Sequence, residues 1–163
     1  MKAAAAKLDS PIRVLLADDH RLFAEALEAI LSGESNIEVV GRARNGSEAL
    51  EIVKRERPDL LISDLRMTEM SGHQLQQELQ TVAPDLPVVI ITAFGTIESA
   101  VESMKLGARD FITKPFSNKE LLLVVARALE NLELRIRALE AENAALKRQM
   151  TNSHLGQAHD QLY

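Results

Sequence analysis

Apolar residues follow two rhythms along the chain. Short, mainly apolar runs at Ile12 to Ala17, Leu60 to Ser63, Val88 to Ile91 and Phe111 to Thr113 read as buried strands, and the stretches between them carry the spacing of amphipathic helices. The pattern predicts strands at 12–17, 38–43, 60–64, 88–92 and 111–113, with helices at 21–32, 47–57, 72–82, 97–106 and from 118 onward. Asn45-Gly46-Ser47 supplies a turn and a helix cap, Pro58 stops the second helix, and Ser117 to Glu120 spells a capping box. Five alternating strand and helix units predict an α/β fold, a parallel sheet covered by helices on both faces.

Chemistry gathers at the strand ends. Asp18 and Asp19 follow the first run, Asp64 ends the third strand, Thr92 closes the fourth, and Lys114 follows the fifth. In open parallel sheets ligands bind beyond the carboxyl ends of the strands, so these five residues are expected to converge despite their separation in sequence. Singly each has an ordinary reading: a turn-forming aspartate, a strand threonine, a solvated lysine. Together they describe an anionic pocket with one cation, and clustered carboxylates repel one another unless something neutralises them.

The ordered set LLADDH, PDLLISDLRM, VVIITAF and GARDFITKPF, within residues 11–130, resembles the CheY-like receiver domain of response regulators, the phosphoacceptor module of two-component signalling. The strand order expected for that winding, flavodoxin-like 2-1-3-4-5, sets the first and third strands side by side. The resemblance implies that Asp64 is the phosphoacceptor and that Mg²⁺ is bound by Asp19 and Asp64, by the backbone carbonyl of Arg66, and by Asp18 through water. Such hard oxygen donors suit Mg²⁺, which keeps several waters and takes one or two carboxylates. By the same resemblance Thr92 and Lys114 hold phosphoryl oxygens, Ala93 leaves room for the group, Pro115 follows a cis peptide bond, and Thr92 with Phe111 forms the switch. Phe111 also has a plain reading as a core aromatic. Arg66 and Phe94, both large, flank the path of an attacking water, which predicts slow self-dephosphorylation. A sensor histidine kinase is the implied phosphoryl donor.

Thr68 and Ser71 depart from residues common in the family, proline and an acid, and bear on loop geometry. VLLADDHRLF resembles receivers of LuxR-type regulators, whereas TAFGTIESAVESMKLGARDFITKPF and the following helix resemble NtrC-type activators. Those activators continue into ATPase and DNA-binding domains. This sequence contains no GxxxxGK[ST] phosphate loop, so the expectation is a piece of a longer or recombined chain, or a receiver whose downstream effector is a separate protein.

The last helix continues past the expected receiver. Apolar residues recur at Val125, Leu129, Leu132, Ile136, Leu139, Leu146 and Met150 in alternating steps of four and three, with Asn143 in the one gap. Leu129, Ile136, Asn143 and Met150 then occupy heptad position a, and Val125, Leu132, Leu139 and Leu146 position d. Parallel pairing sets Arg135 against Glu140 and Glu142 against Lys147 of a second chain, opposite in sign both times. A parallel homodimer is expected; the alternative is one amphipathic helix folded on its own domain. The resulting organisation is a flexible arm at 1–10, a receiver at 11–124, a coiled-coil dimerisation helix at 125–150 and a disordered tail at 151–163.

Composition narrows the remaining classes. The absence of cysteine excludes disulfides and thiolate chemistry, and fits a cytoplasmic protein. A net charge of −5 with mixed-sign helices argues against direct nucleic-acid binding, and no apolar run could span a bilayer. A haloacid-type phosphatase would carry DxDx[TV] after its first strand, and DDHR stands there instead. The expected function is therefore a phosphoacceptor signalling domain and not an enzyme in its own right. The competing class is a non-phosphorylated dimerisation scaffold.

Overall fold

A computed structural model describes residues 10–93, 95–129 and 142–153. The elements run β1 (Ile12–Ala17), α1 (Arg21–Ser32), β2 (Ile37–Ala43), α2 (Gly46–Glu56), β3 (Leu60–Asp64), α3 (Gly72–Val82), β4 (Val88–Thr92), α4 (Ile97–Lys105), β5 (Asp110–Thr113) and α5 (Asn118–Leu129). All strands pair in parallel, in the order β2-β1-β3-β4-β5, as expected.

The alternation of side chains across a strand divides the interior into two layers. On one face Val14, Leu16, Leu60, Ile62, Val89, Ile91 and Ile112 pack with Leu27 and Leu31 of α1 and with Leu121, Val124 and Val125 of α5. On the other, Leu15, Ala17, Leu61, Val88 and Ile90 pack with Ala49, Ile52 and Val53 of α2 and with Leu75 and Leu79 of α3. Central strands buried on both sides explain why β3 and β4 read as uninterrupted apolar runs.

Side chains cap most of the helix starts. Asn45 accepts the Glu48 amide at 2.8 Å to open α2, and Ser117 accepts the Glu120 amide at 3.1 Å to open α5. Arg57, just before Pro58, ends α2 in the left-handed region at φ 45°. A reciprocal capping box opens α3, where Ser71 and Gln74 bond each other's backbone amides, so the serine in place of the family's acid does the work of a helix cap.

α4 is attached differently from its neighbours. Its one buried residue is Ser103, whose hydroxyl lies 2.9 Å from His73 Nε2 and whose carbonyl accepts Gln76 Nε2 at 3.1 Å, both from α3. Ile97, Val101 and Met104, spaced along one side of α4, face solvent.

Two expectations at the C-terminal end need correction. Val125, placed in the dimer seam, is fully buried in the domain's own core, as are Ala126 and Ala128, so the receiver extends past residue 124. Core packing and coiled-coil seams share the same three-four spacing, and the pattern ran continuously from one into the other. Residues 142–153 are helical, so Thr151 to Ser153 continue a helix instead of opening a disordered tail. The Thr151 and Ser153 hydroxyls bond the carbonyls of Lys147 and Gln149 one turn earlier, as helical Ser and Thr can. Within the seam, Leu129 packs on the core edge, while Leu146 and Met150 are exposed in the single chain. Leu132, Ile136 and Leu139, the N-terminal arm before Ser10 and the tail beyond Ser153 lie outside the described residues.

Candidate functional site at the carboxyl ends of the strands

β1 and β3 are adjacent, which brings Asp18, Asp19 and Asp64 to one point of the sheet rim. Each offers a carboxylate oxygen within 4.8 Å of the others, Asp18 buried, Asp64 half-buried and Asp19 exposed. Backbone bonds fix the loops that carry them. The Asp18 amide donates to the Ala43 carbonyl at 2.9 Å, and Asp18 Oδ1 accepts the His20 amide at 2.8 Å. Asp64 Oδ1 accepts the Leu65 amide at 2.8 Å. Gly72 closes the turn behind it, donating to the Leu65 carbonyl at 2.9 Å, at a place where any β-carbon would meet Asp64 backbone.

Lys114 enters from β5 through a bond from its amide to the Thr92 carbonyl at 2.9 Å and precedes a cis bond to Pro115. Its ammonium stands 3.2 Å from Asp18 Oδ2 and 3.7 Å from Asp64 Oδ2, with little of the side chain exposed. It also lies 3.7 Å from the centre of the Phe23 ring, which meets Phe116 edge to face.

Burial, then the charge of Asp18, push the Asp64 carboxyl up from 3.8 to about 6. Lys114 and the backbone amides of Leu65 and Arg66 oppose the shift without cancelling it. The pocket thus holds more negative charge than its one ammonium balances, and its donors are all hard oxygens. That is the donor set for a divalent cation such as Mg²⁺ and a poor one for soft metals.

The remaining expected residues divide by sheet face. Asp18, Asp64 and Lys114 continue the face that carries α1 and α5. Thr92, fully buried, continues the opposite face, where it pairs with Thr113 of β5, while Phe111 lies one pair further back on the same face, opposite Ile90. Phe111 is half-buried against the α2–α3 layer, and the β4–α4 loop passes close to it at Gly95. Ala93 is exposed at the mouth, next to Thr92. The Arg66 backbone amide bonds the Asp64 carboxylate, and Phe94 lies outside the described residues.

Sequence reasoning gave no role to His20, Phe23, Gly72 or Phe116, all of which shape the site. The available signal was positional: His20 and Phe23 sit two and five residues past Asp18, and Phe116 two past Lys114.

The family model for the response regulator receiver domain matches residues 14–126. The chain is 42% identical over 120 residues to the transcriptional regulatory protein GlrR of Escherichia coli, covering 74% of this chain and 27% of that protein. It is also 42% identical over 116 residues to the response regulator protein FleR of Pseudomonas aeruginosa, covering 71% and 24%. These curated relatives are about four times longer than the segment they share with this chain. Among solved structures, the receiver domain of NtrX from Brucella abortus superposes with a TM-score of 0.68 at 36% identity, covering 72% of this chain and 98% of that one. The signal receiver domain of NarL from Mycobacterium tuberculosis gives 0.71 at 30%, covering 75% and 98%.

Proposed function

As the chain belongs to the response regulator receiver domain family, matched across residues 14–126, we propose that it accepts a phosphoryl group on Asp64 and passes the event on as a change of conformation. The observation that carries this reading is the convergence of three carboxylates with the Lys114 ammonium at the carboxyl ends of β1, β3 and β5.

In the proposed reaction an Asp64 carboxylate oxygen attacks phosphorus as the bond from phosphorus to the donor breaks. The electron pair leaves with the donor, an imidazole from a sensor histidine kinase or acetate from acetyl phosphate, and the imidazole takes a proton from water. Phosphoryl transfer demands positioning and charge stabilisation more than covalent help. Lys114 pairs with one phosphoryl oxygen, and the Thr92 hydroxyl bonds another. Ala93 leaves space between them. Asp19 and Asp64, with the Arg66 carbonyl and with Asp18 through water, are the residues that would hold Mg²⁺. The chemistry the ion would supply there is neutralisation of negative charge.

The response is read as Thr92 moving toward the phosphoryl group with Phe111 following beside it. Their shared sheet face and the sparse attachment of α4 support this path. The helix after α5 is read as a parallel dimer seam through Leu129, Leu132, Ile136, Leu139, Asn143, Leu146 and Met150, with Asn143 fixing register. The exposure of Leu146 and Met150 in the single chain supports that reading. Arg66 and Phe94 are assigned to slow water attack on the phosphoryl group. A downstream effector domain or protein would read the change.

The deciding experiment is intact mass after incubation with Mg²⁺ and acetyl phosphate, run beside Asp64→Asn. Gain of one phosphoryl group by the parent alone is the expected result. No gain by a folded parent, with no binding of beryllofluoride, leaves a receiver-shaped scaffold.

A further inference from the structure

Lys114 is held from three directions, and one of its holders is not a carboxylate. Its Nζ lies 3.7 Å above the Phe23 ring while reaching Asp18 and Asp64 on its other sides. The ring face attracts a cation through its quadrupole, yet accepts no hydrogen bond in the ordinary sense. It can therefore fix the ammonium in place without using the donors that an arriving anion needs.

Phe23 is itself fixed by the site. Its amide donates to His20 Nδ1 at 3.3 Å as part of the α1 cap, and the His20 amide donates to Asp18 Oδ1 at 2.8 Å. Lys114 closes the circuit by donating to Asp18 Oδ2 at 3.2 Å. The Phe116 ring, two residues past Lys114, abuts Phe23 at a centroid separation of 5.9 Å and an angle of 89°. Residues 18, 20, 23 and 114 form one closed ring of contacts, with Phe116 bracing its aromatic member.

We propose that Phe23 is a positioning residue for phosphoryl transfer: its ring face, braced by Phe116, keeps the Lys114 ammonium over the Asp18–Asp64 pocket. The proposal rests on the reading of Asp64 as phosphoacceptor. Without the ring, the four-carbon stem of Lys114 is drawn only by its carboxylates and water, so the ammonium spreads over more positions and meets the phosphoryl oxygens less often.

The test compares the parent, Phe23→Leu and Phe23→Tyr, with thermal melts to verify folding. In the metal-free protein the ε-methylene protons of Lys114 should resonate upfield in the parent and in Phe23→Tyr, from the ring current, and lose that shift in Phe23→Leu. The rate of phosphorylation by acetyl phosphate with Mg²⁺ should fall about threefold to thirtyfold in Phe23→Leu and recover in Phe23→Tyr. In a Lys114→Met background, adding Phe23→Leu should change the rate no further. An unshifted Lys114 resonance in the parent, a Phe23→Leu rate equal to the parent's, or a second loss in the Lys114→Met background overturns the proposal alone. A parent that takes up no phosphoryl group overturns the phosphoacceptor reading, and the positioning role falls with it.

Discussion

Gly72 approaches Asp64 so closely that a β-carbon on it would stand 2.5 Å from the Asp64 carbonyl oxygen and 3.0 Å from the Leu65 Cα. Both neighbours are backbone of the turn that aims Asp64, and neither can step aside without moving the carboxylate. Gly72→Ala should cost about 1–3 kcal/mol in urea unfolding. The same variant should also slow phosphorylation. Unchanged stability and rate would mean that the turn has slack the geometry does not show.

The raised Asp64 carboxyl gives the domain a pH signature. Its folded value of about 6 exceeds the ordinary 3.8, so the folded state binds this proton more tightly than the unfolded state does. The stabilising share is complete below about pH 4 and disappears as pH rises through about 6, amounting to at most about 3 kcal/mol. Melting temperatures taken without divalent cations should therefore fall across that window in the parent more than in Asp64→Asn. Parallel curves for the two proteins would refute the upward shift of the Asp64 carboxyl.

Cation binding should separate the three aspartates. With Mg²⁺ at about a hundred times its dissociation constant, the parent should gain about 2.7 kcal/mol. Asp19 is exposed, so Asp19→Asn should change metal-free stability by less than about 0.5 kcal/mol while losing most of that gain. Differential scanning fluorimetry with and without Mg²⁺ reads both quantities. A full Mg²⁺ response in Asp19→Asn would remove it from the proposed ligand set.

Ser103 anchors α4 through polar bonds, so a small change there should act locally. Ser103→Ala strips His73 Nε2 of its partner and should cost about 1 kcal/mol. Hydrogen exchange should quicken in α4 and leave β1 and β3 unaffected, since the helix has no residue in either apolar layer. Acceleration spread evenly over the sheet would show that the helix is integral to the cooperative core.

Sequence reasoning located β3 at 60–64, α3 at 72–82 and β4 at 88–92, and the structure has them there. Those elements announce themselves because their burial and their periodicity coincide. The acid trio and Lys114 were legible because strand ends in a parallel sheet share one rim. Phe23 was not, since its helical spacing is equally that of a core residue and only the fold brings β5 to its ring. Val125 was misassigned because one apolar stripe serves the domain core and then continues along the helix. The Ser71 capping box and the His73–Ser103 bond depend on pairings across a turn or between two helices, which composition does not display.

The alternation of side chains also has a consequence for how the two halves of the interior know about each other. The α1–α5 side and the α2–α3 side share no residue, yet Lys114 tops the first and Thr92 the second. A small anion gripped by both would be a rivet through the rim of the sheet, and its arrival or loss would set how tightly two otherwise separate layers are clamped.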